Sequence, residues 1–173
     1  MPEFVNPLQI LKKVELRKTM IAADFGSGSG GWAIPLASQL EEGRVYAVDL
    51  QEEALSALMG KAKLQNISNI KKIVADVEKG VSEIKSFSCD LVLMTDLLFQ
   101  VDDREAVFRE ANRVLKTRGK VLVVDWNIDS PLGPREGRIS QDEVKEIAKS
   151  SGFEFEEEFK AGDYHYALVF TKS

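Results

Sequence analysis

The chain has 173 residues, of which 44% are hydrophobic and 29% are charged, and its formal net charge at pH 7 is −5. This length and composition are typical of one globular domain with a single core. The negative charge argues against a nucleic-acid partner, because phosphate contacts need a basic surface. The only cysteine, Cys89, excludes an internal disulfide and a cysteine-based zinc cluster.

Signals for membranes or secretion are missing from the residues at hand. Residues 1–4 lack the basic and apolar regions of a secretory signal, and no apolar run approaches the roughly 20 residues that a spanning helix needs. We therefore expect a cytoplasmic protein without a membrane span. Its expected partner is a small molecule, and we predict no metal site.

Helical and strand-like segments alternate along most of the chain. Asn6 is placed to cap a short helix over residues 6–14, with Pro7 at the first helical position. Further helices are expected over residues 31–40, 52–65, around 107–115 and over 141–150. Short apolar runs between them predict five buried strands, at residues 20–25, 44–49, 70–75, 90–95 and 120–126.

The last third of the chain changes character. Residues 153–159 alternate phenylalanine with glutamate, and a second strand-like run over 164–170 follows a short loop that contains Gly162. Two such runs predict an antiparallel hairpin, whereas the alternation before them predicts a mostly parallel sheet covered on both faces. The expected fold is one α/β domain over residues 1–173: a doubly wound, Rossmann-like sheet of seven strands with a C-terminal antiparallel hairpin.

A glycine-rich turn, Asp-Phe-Gly-Ser-Gly-Ser-Gly at residues 24–30, ends the first predicted strand and opens the next helix. Glycines allow a tight turn and a close approach of the backbone to a ligand, and a helix N-terminus presents free N–H groups. Gly26, Gly28 and Gly31 also satisfy the spacing of a dinucleotide fingerprint. A nicotinamide cofactor is therefore one alternative at this point.

Acidic residues close the later strands, where ligands of such sheets bind. Asp49 comes 21 residues after Gly28, at a distance suited to binding ribose hydroxyls. The other strands end in Asp76, in Thr95-Asp96 and in Asp125-Trp126-Asn127. Together with Asp24, these acids disfavour a pyrophosphate, and the predicted elements leave no room for a separate substrate domain. A cofactor that carries an ammonium and a sulfonium, S-adenosylmethionine, fits better.

Four motifs in order resemble the class I S-adenosylmethionine-dependent methyltransferases. They are Asp-x-Gly-x-Gly-x-Gly at 24–30, Val-Tyr-Ala-Val-Asp at 45–49, Val-Ala-Asp at 74–76 and Asp-Leu-Val-Leu-Met-Thr-Asp at 90–96. Residues 110–122 also look like the helix and strand that follow in that superfamily. The chain is most similar to small bacterial and archaeal members labelled ubiquinone/menaquinone-biosynthesis-like. The usual Pro-Gly-Gly before strand five is Thr117-Arg118-Gly119 here, which affects a turn and not the cofactor site.

The resemblance implies a role for each matching residue. It implies that the methionine portion of the cofactor is held by Asp24, Gly26, Ser27 and Gly28. Asp49 would hold the ribose hydroxyls and Leu50 would pack on the adenine, whereas Asp76 and Val77 would bind the adenine amino edge. Thr95 and Asp96 would lie near the methionine ammonium and the transferring methyl group.

The implied reaction is transfer of the methyl group of S-adenosylmethionine to a small-molecule acceptor. Because the sulfonium is already activated, alignment could supply much of the rate and no general base is obligatory. Two side chains are candidates for a catalytic role, Asp96 and His165, the only histidine in the chain. For Asp96 the alternative is a helix cap, and for His165 it is a partly exposed strand residue.

Two segments beside the expected site have open roles. Residues 1–18 form an N-terminal helical segment whose start, residues 4–7, either folds over the cofactor as a lid or tethers the first helix. Residues 130–138, with Arg135 and Arg138, either recognise the acceptor or merely connect two elements. The alternatives to a methyltransferase are an NAD(P)-dependent reductase and a non-catalytic S-adenosylmethionine-binding partner subunit.

Overall fold

The computed structural model describes all residues from Met1 to Ser173. It has seven strands: β1 Ile21–Phe25, β2 Arg44–Asp49, β3 Ile70–Val74, β4 Cys89–Thr95, β5 Leu115–Trp126, β6 Phe153–Ala161 and β7 His165–Lys172. Its five helices are α1 Pro7–Leu11, α2 Ala33–Gln39, α3 Glu52–Leu64, α4 Arg104–Val114 and α5 Gln141–Ser150. None of the helices has the length and apolar character needed to cross a membrane.

The strands form one sheet in the order β3-β2-β1-β4-β5-β7-β6. β1 to β5 are parallel, and β7 lies antiparallel between β5 and β6. The predicted doubly wound sheet with a C-terminal antiparallel hairpin is confirmed. The strand order reverses between β1 and β4, so the carboxyl ends of these two strands open the crevice where ligands of such sheets bind.

Two apolar cores, one on each face, bury the centre of the sheet. The central strands β1 and β4 are buried almost throughout, as expected for parallel strands covered by helices on both sides. β7 is buried along its whole length because β5 and β6 flank it. β6 lies at the edge of the sheet, where its glutamates are exposed. The residues that face solvent at the carboxyl edge of the sheet are therefore held by rigid, buried strands.

Side-chain caps define where several helices begin. Asn6 accepts a hydrogen bond from the Gln9 N–H, as the sequence predicted, and Asp103 accepts one from the Ala106 N–H at 2.9 Å. Ser140 and Glu143 form a capping box at the start of α5. Each of these side chains satisfies a backbone N–H that has no partner within the helix.

The structure corrects two predicted boundaries. The first helix ends at Leu11 and not at residue 14, because the chain leaves it through a turn in which the Val14 N–H bonds to the Leu11 carbonyl. β5 begins at Leu115, five positions before the predicted start at residue 120. Leu115 already pairs with Cys89 of β4, and the register shifts before the regular pairing resumes. Arg118 lies in this irregular stretch with φ 68°, a conformation that a local apolar pattern does not reveal.

Replacing either of two glycines by alanine should change the stability of the fold, in opposite directions. A Cβ at Gly43 would lie 1.9 Å from the Met20 carbonyl oxygen, which accepts the Arg44 N–H where β1 and β2 meet. Gly43→Ala should therefore lower the free energy of unfolding by about 1–3 kcal/mol. Gly60 lies exposed inside α3 with no atom near its Cβ position, so Gly60→Ala should raise that free energy by about 0.5–1 kcal/mol. Urea denaturation of both variants checks the two signs, and a neutral Gly43→Ala would contradict the packing.

Candidate active site

The glycine turn is fastened to the end of β2. The N–H groups of Gly26 and Ser27 donate to the Val48 carbonyl at 2.8 and 3.0 Å. The Gly28 N–H donates to Oδ2 of Asp49 at 2.8 Å. Gly26 and Gly28 have φ values of 75° and 53°, which L side chains rarely adopt. Gly28 and Asp49, which are 21 positions apart in the sequence, are thus in direct contact.

The Asp49 carboxylate uses both oxygens on backbone donors, because Oδ1 accepts the Gln51 N–H at 2.9 Å. The side chain is only half-buried. Each carboxylate oxygen has more than one lone pair, so a hydroxyl in the adjoining pocket can still be bound. Asp49 is therefore a pre-oriented acceptor at the end of β2.

A pocket of about 320 Å³ opens beside this carboxylate. Six of the nine residues that the sequence predicted for the cofactor line it: Gly26, Gly28, Asp49, Leu50, Asp76 and Val77. Eight further lining residues were not predicted, namely Val48, Gln51, Ala54, Ala75, Glu78, Leu97, Gln100 and Val101. No sequence pattern pointed to Glu78, because its role depends on distant contacts. Its carboxylate accepts the N–H groups of Asp102 and Asp103. It ties the segment after β4 to the wall of the pocket.

Asp24, in β1, and Ser27, in the turn, are buried and do not line the pocket. Asp24 is fully buried, and its two carboxyl oxygens and the Ser27 hydroxyl have no hydrogen-bond partner. Burial, and next the negative charge of Asp49, raise the pKa of Asp24 to about 8. Buried acceptors without donors fit a ligand that carries N–H groups, such as the α-ammonium of S-adenosylmethionine. Thr95, the third predicted residue outside the pocket, is buried at the end of β4.

The two catalytic candidates contact each other. His165 Nε2 lies 2.9 Å from Asp96 Oδ1, and the imidazole stacks on the Trp126 indole with ring centroids 4.1 Å apart. The His165 side chain is 7% exposed, whereas that of Asp96 is 43% exposed. The predicted alternative of a partly exposed strand histidine does not describe His165, which is buried. The predicted helix cap does not describe Asp96 either, because Asp103 caps the next helix.

Asp125 is a buried carboxylate that the sequence did not single out from its neighbours. It accepts the N–H groups of Leu98 at 3.0 Å and Trp126 at 2.8 Å. Burial raises the pKa of Asp125 to about 6, and the negative charge of Asp96 also raises it. The two hydrogen bonds from backbone N–H groups lower this pKa and so oppose the effect of burial. By binding Leu98, Asp125 fixes the segment that follows Asp96. Its role is to hold this edge of the site in place.

The loop after β5 is organised by one arginine. The Arg138 guanidinium donates to the carbonyls of Ile128, Ser130, Leu132 and Pro134 at 2.6–3.1 Å. Its guanidinium is therefore engaged within the loop, and of the two predicted arginines only Arg135 is exposed. The same loop covers Trp126, since a Cβ at Gly133 would lie 2.5 Å from the indole ring.

The N-terminal segment lies against the turn between β6 and β7. The Glu3 N–H donates to Asp163 Oδ2, and the Asp163 N–H donates to the Glu3 carbonyl, both at 2.7 Å. The Phe4 ring packs on Tyr164 with centroids 5.5 Å apart. Since Tyr164 precedes His165, the segment is attached at the carboxyl edge of the sheet. Its action as a lid stays a prediction.

Comparison with known proteins finds relatives for this site. Residues 23–123 match the family model described as a methyltransferase domain. A demethylmenaquinone methyltransferase of Staphylococcus aureus is 32% identical over 118 residues, which are 68% of this chain and 47% of that protein. Another, of Bacillus mycoides, is 26% identical over 132 residues, 76% of this chain and 55% of that protein. The chain spans about half the length of the curated relatives it matches.

Solved structures share the fold. An S-adenosylmethionine-dependent methyltransferase from Aquifex aeolicus superposes with a TM-score of 0.90 at 22% identity, over 98% of this chain and 91% of that one. Phosphoethanolamine N-methyltransferase 2 of Haemonchus contortus, in complex with S-adenosyl-L-methionine, has a TM-score of 0.80 at 19% identity and covers 96% of this chain and 52% of that one.

The buried Asp24 makes a prediction about pH. Its pKa in the folded chain, about 8, lies above the ordinary value of 3.8, so the folded chain binds the extra proton between these values. The stability that the protonated carboxyl contributes is complete below pH 3.8 and is lost as the pH rises through about 8. The slope is at most about 1.4 kcal/mol per pH unit. Asp24→Asn, which cannot ionise, should lose less stability than the wild type when the pH rises.

Urea unfolding at about pH 5 and about pH 8 measures this difference. Asp129→Asn is the matched control, because Asp129 is exposed and the same chemical change there leaves Asp24 intact. An Asp24→Asn variant whose stability falls with pH as steeply as that of the control would show that Asp24 is not the titrating group.

Proposed function

Because the chain belongs to the class I S-adenosylmethionine-dependent methyltransferase family, we propose that it transfers the methyl group of S-adenosylmethionine to a small-molecule acceptor. Membership confirms the family, the fold and the cofactor that the sequence motifs predicted. The comparisons support neither alternative, the NAD(P)-dependent reductase or the non-catalytic subunit.

The observation that carries the proposal is the arrangement around Asp49. This carboxylate fastens the glycine turn through Gly28 and also lines the pocket that holds six of the predicted residues. An acceptor pair at the end of β2 suits the two hydroxyls of a ribose. In this assignment the ends of β2 and β3 form the part of the site that binds adenosine. The turn after β1 forms the part that binds the methionine portion.

The residues on the adenosine side of the pocket offer both apolar and polar contacts to an adenine. Leu50 is exposed at the rim, where it can pack on a purine face. Asp76, with a carboxylate that also accepts the Glu78 N–H, can accept from an exocyclic amine, and the neighbouring Val77 offers a backbone N–H. These groups are already oriented by the backbone, which reduces the ordering that binding requires.

The opposite end of the cofactor would lie over Asp24, Ser27 and Thr95. When bound, S-adenosylmethionine supplies a methyl carbon already made electrophilic by the sulfonium. The chain's own residues need only hold the acceptor in line with that carbon and exclude water. The negative charge along this edge, from Asp49, Asp76 and Asp96, attracts a cationic cofactor and repels a pyrophosphate. This charge separates the proposal from the reductase on physical grounds.

For the acceptor we propose only a class, a small molecule. The curated relatives are named demethylmenaquinone methyltransferases, which makes a demethylmenaquinone the first acceptor to assay. Formation of S-adenosylhomocysteine, followed by mass spectrometry of the acceptor, is the readout that identifies a methylated product.

Asp49→Ala should weaken binding of S-adenosylhomocysteine by at least about 100-fold, because it removes two charge-assisted hydrogen bonds to the ribose and frees the Gly28 N–H. Asp49→Asn, which keeps one carbonyl oxygen, should lose less. Isothermal titration calorimetry of both variants gives the two losses.

Glu53→Gln is the control, since Glu53 is exposed in the first turn of α3 and makes no contact with the pocket. Unchanged affinity in Asp49→Ala would remove this residue from the site. Stabilisation of the wild type by NADH, with none by S-adenosylmethionine or S-adenosylhomocysteine, would contradict the proposed function itself.

A further inference from the structure

Three side chains from three strand ends meet at the centre of the carboxyl edge. Asp96 follows β4, Trp126 ends β5, and His165 begins β7. The register of the antiparallel pair places Trp126 directly opposite His165, and the imidazole bridges from the indole to the Asp96 carboxylate. The cluster is therefore built by the sheet itself and not by a loop.

The surroundings of His165 determine its tautomer. A carboxylate can only accept, so the contact of 2.9 Å requires His165 Nε2 to carry the proton and donate it to Asp96. The other nitrogen, Nδ1, is buried without any hydrogen-bond partner. His165 thus donates one hydrogen bond and exposes no nitrogen to a substrate.

Asp96 is the member of the cluster that faces outward. Its side chain is 43% exposed, and Oδ2 has no partner in the protein. Its backbone has φ 49°, in the left-handed region, and its N–H donates to the Val124 carbonyl of β5 at 2.8 Å. This conformation costs free energy for a residue other than glycine. The hydrogen bond from Asp96 to Val124 and the one from the Leu98 N–H to Asp125 maintain it.

The outward carboxylate stands next to the cofactor pocket. Leu97, the next residue, lines that pocket and touches the glycine turn, because a Cβ at Gly26 would lie 2.8 Å from Leu97 Cδ1. Asp96 is therefore one residue from the wall of the cofactor pocket, on the side toward Trp126 and the loop after β5.

We propose that Asp96 is the catalytic base of the methyl transfer, that His165 is its positioning residue, and that the acceptor carries a hydroxyl or amine group and no anionic group. This inference rests on the proposed function. The acceptor oxygen or nitrogen forms a bond to the methyl carbon, and the bond from that carbon to sulfur breaks with its electron pair left on sulfur. The proton of the acceptor group moves to Asp96 Oδ2, while Oδ1 remains bound to His165.

The charges around the cluster specify the acceptor further. Asp49, Asp96 and Asp125 lie along this edge, and Arg104 and Arg138 donate to backbone carbonyls. A carboxylate or phosphate held against Asp96 would meet like charge, and of the two arginines in the loop after β5 only the exposed Arg135 is free of such bonds. Neutral phenols and amines avoid this repulsion.

Phenol and 4-nitrophenol form a matched pair of acceptors for the test, because 4-nitrophenol ionises near neutral pH without help. Asp96→Asn should lower the rate of phenol methylation by about 100-fold, whereas the rate with 4-nitrophenol should not fall, because its phenolate needs no base and the neutral amide no longer repels it. Asp142→Asn, an exposed carboxylate in the first turn of α5, is the control and should leave both rates unchanged.

His165 is tested through Asp96. His165→Phe keeps a ring against Trp126 but donates nothing, and should lower the rate with phenol by about 10-fold at unchanged KM for S-adenosylmethionine. His165→Gln, whose amide can still donate to Asp96, should recover part of this loss. Because the chain has one histidine, ¹⁵N NMR reads the position of its proton directly, and we expect Nε2 to carry a proton that it donates to Asp96.

Each contrary result overturns a defined step. Equal losses with phenol and 4-nitrophenol, or none in Asp96→Asn, would remove Asp96 as the base. A neutral ring with its proton on Nδ1 would overturn the role of His165. If neither phenols nor primary amines are methylated while S-adenosylhomocysteine still binds by calorimetry, the acceptor class is wrong. Absence of that binding is the separate outcome that contradicts the proposed function.

Discussion

The hydrogen bond from the Gly28 N–H to the Asp49 carboxylate is the interaction on which the site depends. It joins the turn after β1 to the end of β2 across 21 positions of sequence, together with two bonds to the Val48 carbonyl. Without it, the glycine turn would have many accessible conformations, because glycine restricts the backbone least. With it, both cofactor-facing segments are held by two adjacent buried strands.

Aspartates at one edge of the sheet differ in function because their donors differ. Asp24 is buried with no donor and holds its proton to about pH 8, whereas Asp125 is also buried but binds two N–H groups and has a pKa of about 6. Asp49 binds two backbone donors at the pocket, and Asp96 binds an imidazole. Residue type alone therefore assigns none of these roles, since burial and the number of donors decide what each carboxylate can do.

The sequence was most informative where periodicity and glycine chemistry act locally. Alternating apolar segments predicted the doubly wound sheet, and the glycine turn and Asp49 were both placed at strand ends, where the structure joins them by a hydrogen bond that the sequence did not predict. Other features depend on pairings between distant segments. The early start of β5 follows from the pairing of Leu115 with Cys89, and the burial of His165 follows from the position of β7 between two strands. The bonds of Arg138 to four carbonyls depend on a loop conformation that composition does not encode.

The C-terminal hairpin explains how one small domain could serve two ligands. In a wholly parallel sheet the first residue of β7 would lie at the amino edge, far from the ends of β1 and β4. Because β7 is antiparallel, His165 lies beside Trp126 at the carboxyl edge instead. The match to the methyltransferase family covers residues 23–123, which include the glycine turn, Asp49, Asp76 and Asp96. Trp126, His165 and the N-terminal segment lie outside it. The half proposed to bind the cofactor is thus the part shared with the family, and the proposed acceptor side at Trp126 and His165 is where this chain can differ from it.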